Sequence, residues 1–148
     1  MTTRANLVER YEVLDGDTVR CWLDLNYYVG FRVDVRLRGI NCPEVEPHGG
    51  AARAAEWPAG AAVKAWVERL LAEWGPLTCL SYQLDKFAGR TDGDLRGARQ
   101  DSLANALILA RMAKLWDGKG EKPTWTTNEL DAIILASKAA ETPQRRGH

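Results

Sequence analysis

The organisation of this chain follows from one stretch, FRVDVRLRGINCPE, which spans residues 31–44. Its first half alternates apolar and charged side chains, which is the period of a half-buried strand. A glycine and a proline then end the alternation and favour a turn. The stretch therefore places a guanidinium (Arg36), an amide (Asn41) and a carboxylate (Glu44) at the end of a strand, a good position for a functional site. A strand end that only carries solvated charges is the alternative.

Two further motifs flank this stretch. Upstream, DGDT at residues 15–18 separates two strand-like apolar runs, as a hairpin turn does, and a plain turn is the alternative interpretation. Downstream, DKFAGR at residues 85–90 is a short polar loop that ends in an arginine. In this order and spacing, the three motifs resemble the staphylococcal-nuclease-like (thermonuclease) family. The resemblance covers roughly residues 8–136.

This resemblance implies a nuclease that cleaves DNA or RNA phosphodiesters with little sequence preference. Such an enzyme uses Ca²⁺, although another divalent cation is possible, breaks the bond to the 5′ oxygen and leaves 3′-phosphate ends. Arg36 and Arg90 would clamp the phosphate, because a guanidinium stays charged and donates paired hydrogen bonds. Glu44 would act as a general base on a water molecule, or position it.

Oxygen donors near the same motifs suit a hard cation. Asp17 and Asn41 offer side-chain oxygens, and the resemblance adds the backbone carbonyl of Cys42 as a further ligand. Lys86 and Phe87 would contact a terminal phosphate and stack on a base, and Trp116 would lie near the nucleotide. These nine residues form the candidate site.

The chain departs from the family pattern at two positions. Asn41 stands where the family usually has aspartate, which removes one negative charge from the metal site. Ala88 is an extra residue before Gly89 and Arg90, which would shift Arg90 unless the loop bulges. Both departures keep a second hypothesis open: a catalytically weak or inactive OB-fold module that binds nucleic acid or a protein.

Composition restricts the class of protein. Of the 148 residues, 45% are hydrophobic and 27% charged, as in an ordinary globular protein. The 20 basic residues are balanced by 20 acidic ones, which counts against gripping long nucleic acid by bulk charge. No apolar run has the length of a membrane span and no signal segment is visible at the N-terminus, so we expect a cytoplasmic protein without a membrane partner, and we favour a monomer. Three cysteines without metal-site spacing predict core thiols and no disulfide.

The apolar periodicity predicts an α+β fold, a five-stranded OB-type β-barrel with three α-helices. Strands are expected at residues 7–14, 17–25, 29–38 and 77–84, with a short fifth one near 94–96. Helices are expected at residues 61–74, from 103 to about 114, and after a capping box at Thr126 and Glu129. Residues 1–141 are predicted to form a single domain and residues 142–148 a disordered tail.

Overall fold

A closed barrel of five strands forms the centre of the fold. The computed structural model describes residues 3–84 and 89–141. The seven strands along these residues are β1 (Arg4–Asp15), β2 (Thr18–Asp24), β3 (Gly30–Leu37), β4 (Ile40–Asn41), β5 (Thr78–Leu84), β6 (Arg90–Arg96) and β7 (Lys114–Leu115). The barrel order is β1-β2-β3-β6-β5, and β5 closes it on β1. Only the β3–β6 pair is parallel among these neighbours. This arrangement confirms the predicted OB-type barrel.

Three α-helices accompany the barrel, as predicted. They are α1 (Trp57–Trp74), which continues a 3-10 helical segment (Gly50–Glu56), α2 (Leu103–Leu109) and α3 (Thr127–Glu141). The two-residue strands β4 and β7 pair with each other outside the barrel. None of the helices among the described residues combines the length and the apolar content that a membrane span needs.

The core lies inside the barrel and under α1. Alternate residues of β2 and β3 point inward, and Val19, Cys21 and Val35 have no exposed surface. Helix α1 covers one end of the barrel with Val63 and Val67, which are also fully buried. Burying one such aliphatic side chain stabilises the fold by about 1.5–3 kcal/mol, because its apolar surface is removed from water. The three cysteines are buried and free, as the sequence predicts.

The elements differ from the prediction mainly at their ends. Strand β6 spans Arg90–Arg96, so it starts four residues before the fifth strand predicted near 94–96, and Arg90, the predicted end of a loop, is its first residue. Its sequence, RTDGDLR, is rich in turn formers, but β3 and β5 pair with it on both sides and supply the backbone hydrogen bonds. Gly93 is required there because a Cβ atom would overlap the carbonyl oxygen of Leu80.

The helix boundaries also shift. Helix α1 begins at Trp57, four residues before the predicted start, because the 3-10 segment leads into it and Pro58 lies in its first turn. Helix α2 ends at Leu109 rather than near residue 114, since Arg111 takes a positive φ of 58° and the chain turns into β7. Ser137, predicted to end the apolar stripe of α3, is buried and bonds to the Ala62 carbonyl oxygen.

Candidate active site

The DGDT motif forms the turn between β1 and β2. The Asp17 amide donates to Asp15 Oδ1 at 3.0 Å, and Thr18 Oγ1 donates to Asp17 Oδ1 at 3.3 Å. Gly16 fits because a Cβ atom there would press on Val63 of α1 and on Cys42. The turn interpretation is therefore correct for the backbone, and the same turn delivers a carboxylate to the site.

Asp17 links this turn to the stretch after β3. Its carboxylate is largely buried, and Oδ2 accepts a hydrogen bond from the Cys42 amide at 2.9 Å. The same oxygen lies 3.6 Å from Nη2 of Arg36. Two motifs that are far apart in sequence thus meet at one carboxylate.

Asp15 lies beside Asp17 in the same turn. Burial, followed by the neighbouring Asp17 carboxylate, raises the pKa of Asp15 to about 8. Asp15 is therefore largely protonated at neutral pH, because burial and the neighbouring carboxylate both disfavour its charged form.

The Arg36 guanidinium is held in place from both sides. Its Nη1 donates to the Leu37 carbonyl oxygen and its Nη2 to the Ile40 carbonyl oxygen, both at 2.9 Å. The guanidinium carbon lies 5.9 Å from the centre of the Trp116 ring. Arg36 uses two of its five N–H donors on backbone carbonyls, which leaves donors for a further anion.

Arg36 and Arg90 line the same cleft. The cleft has a volume of about 650 Å³ and is also lined by Arg38, Trp116 and Lys119. Because β3 and β6 run parallel, with Arg36 opposite Asp92, Arg90 lies two residues before Asp92 on the same side of the sheet, opposite Asp34. Four basic side chains therefore face one cavity, together with Asp92 and Asp117. The extra residue Ala88 has not removed Arg90 from this side.

Asn41 is the least satisfied polar group near the site. It is 1% exposed, and within the described part of the chain neither Oδ1 nor Nδ2 has a hydrogen-bond partner. A buried polar group without a partner costs about 1–3 kcal/mol. An amide oxygen without a partner is a donor that a hard cation can use.

The metal-ligand set is small. Among residues 3–84 and 89–141, no three His, Cys, Asp or Glu side chains converge as a metal site. Burial raises the pKa of the Cys42 thiol well above its usual range, so the sulfur stays protonated and is a poor ligand. The donors that fit a hard cation are Asp17, the Asn41 amide and, as the family resemblance implies, the Cys42 carbonyl.

Glu44 has a partner that the sequence did not indicate. Its carboxylate accepts a hydrogen bond from Lys122 Nζ at 2.6 Å, across 78 residues of sequence. Its backbone amide donates to Glu56 Oε1 at 3.0 Å, and Arg53 pairs with the other Glu56 oxygen at 2.8 Å. Glu44 is 9% exposed, and Lys122 occupies its Oε1, so only Oε2 is left to act on a water molecule.

Trp116 reaches the cleft through the pairing of β4 and β7. Its amide donates to the Gly39 carbonyl oxygen at 2.9 Å, and its indole Nε1 donates to the Lys119 carbonyl oxygen at 3.1 Å. Lys86 and Phe87, the other predicted substrate contacts, lie outside the described residues.

The structure thus brings most of the candidate residues together. Arg36, Arg90 and Trp116 share the cleft, and Arg36 connects it to Asp17, which is bonded to the backbone of Cys42 beside Asn41. Sequence reasoning missed three residues as functional contacts: Lys122, Lys119 and Gln83. Their only sequence signal is a polar side chain in or beside a loop, which is too common to single them out.

Comparison of the chain with protein-family models and with curated protein sequences finds no match. The resemblance of its three motifs to nuclease-like proteins therefore stays a prediction from the sequence.

Proposed function

We propose that this protein is a metal-dependent phosphodiesterase that cleaves DNA or RNA with low sequence preference. One observation carries the proposal: Arg36 and Arg90, on neighbouring parallel strands, line one cleft with Trp116, while Arg36 also pairs with the buried Asp17. A phosphate between two guanidinium groups beside an aromatic ring is a suitable environment for a nucleotide.

Each residue has a distinct role in this proposal. Arg36 and Arg90 bind the phosphoryl oxygens and stabilise the charge that grows on them in the transition state. Glu44 accepts the proton of the attacking water, and the bond to the 5′ oxygen breaks, which leaves a 3′-phosphate and a 5′-hydroxyl. Trp116 contacts the nucleotide.

The cation that the resemblance implies is Ca²⁺ or another hard divalent ion. Asp17, Asn41 and the Cys42 carbonyl would hold it. When bound there, it would neutralise negative charge on the substrate phosphate. The Asn41 amide oxygen supports this assignment because it is buried, the described residues offer it no partner, and the next residue, Cys42, donates its backbone amide to Asp17.

A second candidate function is a non-cleaving OB-fold module that binds single-stranded nucleic acid. The ion pair between Glu44 and Lys122 favours it, because this pair occupies the proposed general base. The two functions differ in one property: a module binds in the presence of a chelator and cuts nothing when metal is added.

Degradation of single-stranded DNA and RNA by the purified chain, with Ca²⁺ and with EDTA, separates the two functions. We expect cleavage with Ca²⁺ only. Arg36→Ala and Arg90→Ala should each lower kcat/KM by about two orders of magnitude, as when a transition-state charge donor is lost. Full activity in both arginine variants, or cleavage that persists in EDTA, would contradict the proposal.

Arg32→Ala is the matched control. Arg32 lies on the same strand and the same side as Arg36, but it is exposed and pairs across the strand with Trp22. Arg32→Ala removes one positive charge without changing the cleft. The cleavage activity of this variant should therefore stay within about twofold of that of the unmodified chain at moderate salt.

A further inference from the structure

A second cavity lies at the end of the barrel that α1 leaves open. It has a volume of about 670 Å³, and its lining comes from five strands: Arg4 and Asn6 of β1, Leu23 and Leu25 at the end of β2, Phe31 and Val33 of β3, Ser81, Tyr82 and Gln83 of β5, and Thr91 of β6. We call it the barrel-mouth pocket. The DGDT turn, against which α1 packs, lies at the opposite end of the β1–β2 hairpin.

The pocket is apolar at its walls and polar at a few points. Leu23 and Val33 are buried at its base, while Phe31 is 48% exposed at its rim. The polar groups of the lining are two amides, one cation and three hydroxyls: Asn6, Gln83, Arg4, Ser81, Tyr82 and Thr91. Apolar cavities of about 300–1,000 Å³ with a few polar groups are typical binding sites for small planar ligands.

The pocket adjoins the cleft that holds Arg36 and Arg90. Gln83 lines both cavities. The Arg38 guanidinium of the cleft lies 5.7 Å from the centre of the ring of Tyr82, which lines the pocket. A register shift between β5 and β6 falls at Tyr82, and such bulges re-aim side chains beside binding sites.

The chemistry of the two neighbouring cavities selects one occupant. The cleft offers four cations for phosphates, and the pocket offers aromatic faces for stacking and amides that both donate and accept hydrogen bonds. An unpaired nucleobase has a face that stacks on Phe31 or Tyr82 and an edge that Asn6 or Gln83 can bond. An apolar peptide side chain would use neither these amides nor the cations of the cleft.

We propose that the barrel-mouth pocket binds the unpaired base of a nucleotide next to the one whose phosphate lies between Arg36 and Arg90. This inference rests on the proposed function and deepens it, because it requires that the nucleic-acid substrate be single-stranded. Bases in a duplex are stacked and paired, so they cannot enter the pocket.

Binding in EDTA tests the pocket apart from cleavage. The ligands are a single-stranded DNA hexanucleotide and an abasic hexamer with the same phosphates, each with a fluorescent label, and binding is followed by anisotropy. We expect the full chain to bind the natural hexamer about tenfold or more tightly than the abasic one. Phe31→Ala should remove most of this ratio and leave the affinity for the abasic hexamer unchanged.

Two further variants keep the test decisive. Gln83→Ala changes an exposed side chain, so it should fold normally and should also reduce the ratio. Leu135→Ala, which shortens an apolar side chain that is 70% exposed on α3, is the matched control and should keep the full ratio. Thermal melting verifies that each variant is folded.

The outcomes separate this inference from the proposed function. Equal affinity of the unmodified chain for natural and abasic hexamers overturns the pocket assignment, whether or not the protein cuts. An unchanged ratio in folded Phe31→Ala and Gln83→Ala also overturns it. A base-dependent ratio without any Ca²⁺-dependent cleavage supports the pocket and rejects the nuclease.

Discussion

At the scale of single residues, Asn41 differs from the other polar groups of the site. Asp17 and Glu44 have defined partners, whereas the Asn41 amide is buried and unpartnered within the described residues. A buried amide of this kind lowers the stability of the folded chain. A cation at its oxygen would compensate for that cost, so under the proposed function this residue would trade stability for metal binding.

Variants at position 41 test this trade. Asn41→Leu removes both unpartnered atoms and should raise the free energy of unfolding by about 1 kcal/mol in EDTA while it abolishes stabilisation by Ca²⁺. Asn41→Asp buries a charge that has no partner among the described residues, so it should lower the melting temperature in EDTA and gain more from Ca²⁺ than the unmodified chain does. Scanning calorimetry with and without Ca²⁺ measures both effects. If Ca²⁺ shifts the melting temperature of all three proteins equally, position 41 is not a metal ligand.

At the scale of elements, basic side chains hold the segment at residues 116–126 in place through hydrogen bonds to its backbone carbonyl oxygens. Arg53 donates to the carbonyl oxygens of Pro123 at 3.0 Å and Lys122 at 3.3 Å. Lys114 Nζ donates to the Thr124 carbonyl oxygen at 2.8 Å. Because Arg53 also pairs with Glu56, which holds the Glu44 amide, one arginine positions both this segment and the proposed general base.

Arg53→Met tests this coupling. We expect a loss of about 2 kcal/mol in the free energy of unfolding, because buried Glu56 loses its partner. We also expect kcat to fall about tenfold, because the Glu44 turn shifts. Denaturant unfolding and initial cleavage rates measure the two effects.

Arg69→Met provides the comparison. Arg69 also joins distant elements, since it donates to the Ser137 carbonyl oxygen and Oγ, but it lies between α1 and α3. The Arg69→Met variant should have a lower free energy of unfolding than the unmodified chain. At a temperature where the variant is folded, its kcat should be unchanged. Equal losses of kcat in both variants would show that Arg53 acts only through global stability.

At the scale of the whole molecule, α1 is the element against which the site is built. Gly16 of the DGDT turn packs on Val63, and Gly60 of the same helix packs on the backbone of Pro43 and Glu44. One helix therefore fixes the distance between the two motifs that meet at Asp17.

Gly60→Ala should disturb this arrangement. Helix propensity alone would make the change stabilising by about 1 kcal/mol. The new Cβ atom, however, would overlap the Glu44 carbonyl oxygen, which cannot rotate away, so we expect a net destabilisation of about 1–3 kcal/mol and reduced cleavage. Thermal melting gives the sign. Gly30→Ala is the control, because its Cβ atom would make an ordinary 3.6 Å contact with the Leu23 carbonyl oxygen. A stabilised Gly60→Ala variant would mean that α1 does not rest on the Glu44 turn.

The sequence by itself determined those features that depend on near neighbours in the chain. The alternation in β2 and β3 and the apolar stripe of α1 predicted which faces are buried. The capping box at α3 forms as its spacing predicts: Glu129 Oε1 accepts from the Thr126 amide at 2.9 Å, and Thr126 Oγ1 accepts from the Glu129 amide at 3.2 Å. The order of the strands was enough to predict the barrel.

Only the tertiary structure decided which side chains meet. The Lys122 partner of Glu44 is 78 residues away, and no local pattern encodes it. The lack of a partner for Asn41 among the described residues depends likewise on the elements that pack around it. So do the extension of β6 through a turn-like sequence and the meeting of two cavities at Gln83. Periodicity and caps are properties of a few successive residues, whereas an ion pair or a cavity is a property of the packed chain.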